Sequence, residues 1–270
     1  MKKKSVWSPL FITVVLLLMY LPIIVVVTYS FNSNTIKNAS AFTGFTLQWY
    51  GELFDGARGF GQALATSIEL ALYSCAISVV LGTLGAIGMA RRRLKNPLAR
   101  AVSGVVENVV TLPIMVPEII LGMAFMAVFY ALKLPFGMVT LVLSHVTFCV
   151  PYIYILVKGR LLGMDTALPE AARDLGAGPM RVFFDITLPL IAPAVFSGAF
   201  LAVAMSLDDF VISFFVSGSA VTLPLKIYSS VKVGVSPQIN ALSTLMLGAI
   251  FLAVAFSQLI GAKRRVKQPR

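Results

Sequence analysis

Long apolar runs alternate with short polar segments marked by proline or glycine along the 270 residues. A helix rises about 1.5 Å per residue, so roughly 20 mostly apolar residues cross a hydrocarbon core. Six runs reach that length, at about 9–30, 63–90, 104–132, 136–158, 190–217 and 241–261. They predict an all-α polytopic membrane protein with six transmembrane helices. The first run follows MKKK, but its apolar core is too long for a signal peptide and TYSFNSN has no small-x-small cleavage site, so a retained helix is expected. Pro22 should kink it, because proline removes an internal hydrogen bond. The third run is longer than a crossing needs, and TLPIMVPEIILG carries Pro113 and Pro117. It reads as a broken helix restarted at Pro117 in the first-turn position, with Glu118 near the positive end of the new helix.

The polar interruption at residues 159–189 has its own pattern. Pro169 suits the first residue of a short helix, with Glu170 in its first turn, and Leu168, Ala171, Ala172 and Leu175 make one apolar stripe. Gly176 is the expected stop. A second short helix should begin near Pro179, carry Met180, Phe183 and Phe184 on one side, and end about Leu188, before Pro189. Helices this short are unstable alone in water and must dock, either on the chain's own membrane helices or on a separate protein. The loop at 31–62 contains FTGFTLQWYGELF, which fits an amphipathic segment at the membrane surface or a connecting loop with aromatic anchors. Ser236 followed by Pro237 is a start signal for the last helix.

Composition agrees with a lipid setting: 58% of residues are hydrophobic and 12% charged, about half the charge of a soluble domain. The net charge of +11 raises the question of nucleic acid, and its distribution excludes it. Of the 22 Lys and Arg residues, Lys37, Arg58, Lys133, Lys226 and Lys232 fall on one side of the predicted topology, and all the others fall on the side of both termini. Positive charge accumulates on the cytoplasmic side, so both ends are expected there. Cys75 and Cys149 lie in apolar runs and read as small buried hydrophobes, and a single histidine, His145, builds no metal site. No phosphate-binding G-x-x-x-x-G-K-[ST] occurs, nor any catalytic constellation, so the chain reads as a non-catalytic part of a larger machine.

Ionisable residues inside spans are expensive and tend to be functional or paired. Glu69, Glu118, Asp208 and Asp209 are the candidates for a cation pathway. The alternative for the aspartates is that one caps a helix break after Ser206 or bonds a sister subunit. On a straight fifth span they would lie about 13 Å from its outer end. Neighbours on a helix point about 100° apart, so the two should differ in role. His145 reads as a packed, hydrogen-bonded residue.

Glu170-Ala171-Ala172, Gly176 after three residues, and Ile186-Thr187-Leu188-Pro189 after nine more resemble the EAA signature of membrane subunits of bacterial ABC importers. YSFNS, HVTFCVPY, SLDDFVISFFVSG and LPLKIYSSVKVGVSPQINAL extend the resemblance to spermidine/putrescine importer permeases, most closely the second of that system's two. The resemblance implies the type I ABC importer permease fold, one permease domain over residues 1–270, and residues 159–189 as a coupling loop. Glu170, Ala171, Ala172, Asp174, Leu175 and Gly176 would meet an ATP-binding subunit dimer. It also implies a second homologous permease, a periplasmic polyamine-binding protein, a bacterial inner-membrane location, and no cofactor on this chain, ATP and magnesium belonging to the partner ATPase. Rival readings are an ABC permease for another solute, an ion-coupled secondary transporter, which often shows two related halves where none is visible here, and an intramembrane enzyme.

Overall fold

The computed structural model describes residues 7–36, 41–54, 59–90, 97–165, 167–232 and 234–266. Several topology charges (Lys2, Lys3, Lys4, Lys37, Arg58, Arg91, Arg92, Arg93, Lys95, Lys267 and Arg270) lie outside the described residues. The helices are α1 (Trp7–Tyr29), α2 (Gln48–Phe54), α3 (Phe60–Ala90), α4 (Pro97–Met115), α5 (Glu118–Ala131), α6 (Met138–Leu162), α7 (Ala167–Asp174), α8 (Pro179–Val182), α9 (Leu188–Asp208), α10 (Val211–Val216), α11 (Leu223–Lys232) and α12 (Pro237–Val266). Among the described residues the only extended pairing is an isolated antiparallel bridge between Asn32 and Phe45. The all-α expectation holds.

Among the described residues four helical stretches are long and apolar enough to cross a membrane: Pro9–Tyr29, Phe60–Met89, Met138–Leu162 and Pro179–Asp208. The apolar pair α4 and α5, bent by 111° at the break between them, is a broken span or a re-entrant loop. The expected sixth falls on α12, whose apolar stretch among the described side chains is the shorter Pro237–Leu252. α1 runs through Pro22 without interruption.

The chain forms two compact units, Met1–Gly61 with Ile227–Arg270, and Gln62–Lys226. In the first, α12 packs on α1 and α2. The turn between α1 and α2 is organised by Asn32. Its side chain donates to the Ala41 carbonyl (2.9 Å) and accepts from the Thr43 N–H (3.0 Å). Its carbonyl accepts from the indole N–H of the buried Trp49 at 2.7 Å. Phe31 and Phe45 stack beside it with ring centres 5.3 Å apart. Glu52 of α2 accepts a hydrogen bond from Gln238 of α12. α12 begins at Pro237, as the sequence predicts.

In the second unit α6 is the central post, packed on α9, α4, α10 and α5. Its apolar residues Leu141, Cys149, Ile153 and Val157 are buried with Ile191 and Ala202 of α9 and Ile212 and Val216 of α10. Cys149 is a buried core residue as expected, whereas Cys75 is only half-buried.

Two expectations are corrected here. The second short helix does not end at Leu188. α8 passes through a π-helical turn, Phe183–Thr187, straight into α9, so that Pro179–Asp208 is one helical run. Pro189, read as a stop, stands in the first turn of α9, where its missing N–H does no harm. The wide turn shifts the bonding to i→i+5, and the Thr187 hydroxyl also donates to the Val182 carbonyl (3.3 Å). The second correction concerns the fifth span, which is not continuous to 217. α9 ends at Asp208, Asp209 is extended (φ −63°, ψ 119°), and α10 starts anew at Val211. The straight-helix depth of about 13 Å therefore does not describe the aspartates.

Candidate functional site

Two helix breaks shape the site. At the first, Pro117 is extended (φ −55°, ψ 134°), so α4 cannot continue through it, and its carbonyl accepts the opening bond of α5 from Leu121 at 3.1 Å. Pro117 thus stands one place before the first helical residue, which is Glu118. A carboxylate there is stabilised by the unpaired N–H groups of the first turn.

The second break is built around Asp209. Its carboxylate accepts from the backbone N–H groups of Ile212 (3.2 Å) and Ser213 (2.8 Å), capping α10, and from the Ser213 hydroxyl at 2.7 Å. His145 of α6 approaches the same carboxylate with Nε2 at 3.3 Å, and the two side chains are 0% and 6% exposed. Buried charge is tolerated only when hydrogen bonded in this way.

The segments that follow the breaks lie against each other. A Cβ on Gly122 of α5 would stand 2.7 Å from the Phe215 ring and 3.4 Å from the Ile212 backbone of α10, so only glycine permits this approach. Between the breaks opens a cavity of about 250 Å³, lined on its polar side by Glu118, Asp208, Asp209 and Tyr152. Its apolar wall includes Pro113, Phe148, Met205, Phe210 and Ile212, and no lysine, arginine or histidine lines it. Glu118 and Asp208 are exposed, whereas Asp209 is committed to its cap. Such a chamber offers carboxylates to ammonium groups, aromatic faces to cations and apolar surface to methylenes.

Three of the four acidic candidates are therefore brought together, and Glu69 is not: it is exposed on α3 and does not line the cavity. A further acidic residue overlooked in the sequence, Glu107 of α4, forms an ion pair with Lys158 of α6, whose ammonium also lies 5.6 Å from the centre of the Tyr154 ring. Tyr152, Phe148 and Phe210 also escaped the sequence reading. Among the described residues no group of His, Cys, Asp and Glu is arranged to hold a metal ion.

The polar interruption forms a second, separate feature. Asp165 accepts from the Ala167 N–H (2.9 Å) at the start of α7, and Pro169 lies in the first turn rather than opening the helix. The end is a Schellman motif. Gly176 N–H donates to the Arg173 carbonyl (2.9 Å), Ala177 N–H to that of Ala172 (3.0 Å), and Gly176 has φ +86°. Glu170, Ala171, Asp174 and Gly176 are exposed and Ala172 is half-buried. Leu175 is 89% exposed, Met180 68% and Phe184 54%, an apolar surface left open by this chain.

Residues 78–265 match the family described as binding-protein-dependent transport system inner membrane component. The chain is 39% identical over 257 residues to the putrescine transport system permease protein PotI of Escherichia coli K12, covering 92% of this chain and 88% of that one. It is 40% identical over 254 residues to the spermidine/putrescine transport system permease protein PotC of Haemophilus influenzae, covering 94% and 95%. A subunit of a bacterial ABC transporter that imports the acidic polysaccharide alginate superposes with a TM-score of 0.71 at 14% identity, over 95% of both chains. The MetNI methionine transporter gives 0.60 at 18% identity, over 75% of this chain and 95% of that one. These solved structures speak for the fold alone. With a family match across more than half its length, the chain belongs to the binding-protein-dependent transport system inner membrane components.

Proposed function

We propose that this chain is the membrane subunit of an ATP-driven importer in the bacterial inner membrane, forming the path for putrescine and spermidine. The observation that carries the substrate class is the cavity walled by Glu118, Asp208 and Asp209 with no basic residue among its lining. A polyamine alternates ammonium groups with methylene stretches. Glu118 and Asp208 take the ammonium charge, the Phe148, Tyr152 and Phe210 rings add cation–π attraction, and Met205 and Ile212 cover methylenes. The names of the relatives, transporters of putrescine and of spermidine with putrescine, support the same class.

A periplasmic polyamine-binding protein delivers the solute, a second homologous permease completes the path, and a dimer of ATP-binding subunits supplies the energy. The exposed stripe of Leu175, Met180 and Phe184, next to Glu170, Ala171, Ala172, Asp174 and Gly176, is the surface on which this chain meets that ATPase. This chain carries no chemical step. It binds, orients and releases a cation, and passes movement between the ATPase and the cavity.

The experiment is uptake of radiolabelled putrescine and spermidine by the assembled transporter in proteoliposomes. Two unit charges 4 Å apart attract by about 1 kcal/mol in water and about 4 kcal/mol at an effective dielectric of 20. Both carboxylates are exposed, so the lower end applies, and each neutralisation should raise KM by roughly tenfold, equivalent to about 1.4 kcal/mol. Asp208→Asn and Glu118→Gln should each do so while the complex still assembles. A wild-type complex that moves neither polyamine, or near-normal uptake by both variants, would overturn the proposal.

A further inference from the structure

His145 lies beside the cavity without lining it, and it is fully buried. Its position on α6 lets it touch both sides of the second helix break. Nδ1 lies 2.8 Å from the Ser206 hydroxyl in the last turn of α9. Nε2 lies 3.1 Å from the Ser213 hydroxyl of α10 and 3.3 Å from the Asp209 carboxylate between the two helices. The neutral tautomer with its proton on Nε2 satisfies every group: Ser206 donates to Nδ1, Nε2–H donates toward Asp209 and Ser213, and Ser213 donates to Asp209. Phe148, one turn along α6, holds the imidazole from the side with ring centres 5.0 Å apart.

Asp209 joins the two helices itself, its N–H donating to the Met205 carbonyl of α9 and its carboxylate capping α10. The His145 ring adds an anchor from α6, with a contact on each side of the break. The residue whose placement depends most directly on it is Asp208, the last residue of α9, whose carboxylate faces the cavity.

Resting on the polyamine reading above, we infer that His145 is a positioning residue for transport. It clamps the α9–α10 break so that Asp209 is spent on the cap and Asp208 is presented to the cation. His145 itself touches no substrate. The two adjacent aspartates are thereby assigned different tasks, and the difference is imposed from a third helix.

The test uses the assembled transporter with His145→Gln, His145→Asn and His145→Leu. Gln places its amide near the Nε2 position and keeps the link to Asp209 and Ser213. Asn reaches only toward Ser206, and Leu keeps bulk alone. The expected result is a putrescine KM raised tenfold or more in Asn and Leu and less than threefold in Gln, with maximal rate, assembly and basal ATP hydrolysis unchanged. In an Asp208→Asn background the Leu substitution should add no further rise. Amide hydrogen exchange across 206–216 should quicken in Asn and Leu and stay near wild type in Gln, a readout that needs no substrate. If the wild-type complex moves neither polyamine, the function reading fails while the exchange measurement still decides the clamp. Equal exchange in wild type and Leu, a Gln variant as impaired as Leu, or a Leu effect that persists on Asp208→Asn would overturn the inference.

Discussion

Gly176 gives the sharpest quantitative prediction for the proposed ATPase contact. Its φ of +86° closes the Schellman motif that ends α7, yet no atom lies within 4 Å of where a Cβ would stand. A substitution there meets conformational strain and no collision. A side chain in the left-handed region costs about 1–2 kcal/mol. Losing glycine also restricts the disordered turn, which returns about 0.4–1 kcal/mol. The net cost for Gly176→Ala is about 1 kcal/mol, or roughly a fivefold drop in the ratio of ordered to disordered turn. Gly176→Asn should cost less, because asparagine tolerates the left-handed region, and Gly176→Val more, because branching at Cβ does not. The assay is ATP hydrolysis by the reconstituted complex, stimulated by binding protein and putrescine, while the ATPase subunit is titrated. The half-saturating ATPase concentration should rise by up to about fivefold for Ala, in the order Gly, Asn, Ala, Val, and excess ATPase should restore the rate. If Val titrates like Gly, or Ala is worse than Val, the turn is not what presents this surface.

Two further outcomes check the fold around the site and the outer turn. Gly218 combines φ +52° with a Cβ position that collides with the Phe136 carbonyl, so Gly218→Ala should lose about 2–4 kcal/mol, read as a lower melting temperature of the detergent-purified protein. Trp49→Phe keeps the ring but abandons the 2.7 Å bond to the Asn32 carbonyl, and should cost about 1 kcal/mol in the same measurement.

The ease with which each feature could be read from sequence follows its physical origin. The break at Pro117 was legible because proline forbids the preceding turn from continuing, a purely local effect. The stop at Gly176 was legible for the same kind of reason. The break at Asp209 stood only as an alternative, an aspartate capping a helix break after Ser206, since nothing in SLDDFVISFFV forbids a helix. It forms because Asp209 finds four donors, one of them on His145, 64 positions away. The local clue was present: an aspartate just before VISFFV is a capping residue. Pro189 misled in the opposite direction, because a first-turn proline and a helix-ending proline look alike until the π turn before it is known. The cavity needed tertiary structure, since Tyr152 and Phe148 come from α6 while the carboxylates come from α5, α9 and the second break. Glu118 and the aspartates stood out by charge in an oily setting, whereas the aromatic wall carried no such mark.

The uninterrupted run from Pro179 to Asp208 has a mechanical meaning. Thirty residues of helix measure about 45 Å, and such a strut resists compression far better than a hinged pair of helices would. One end begins beside Met180 on the exposed stripe, and the other stops at the carboxylate that faces the cavity. A push or twist delivered at the Met180 end meets two places where the helix can yield, the π turn that begins three residues on at Phe183 and Pro193 inside α9, which removes a backbone bond. If the ATPase meets the exposed stripe as proposed, these two points set how much of its movement reaches Asp208.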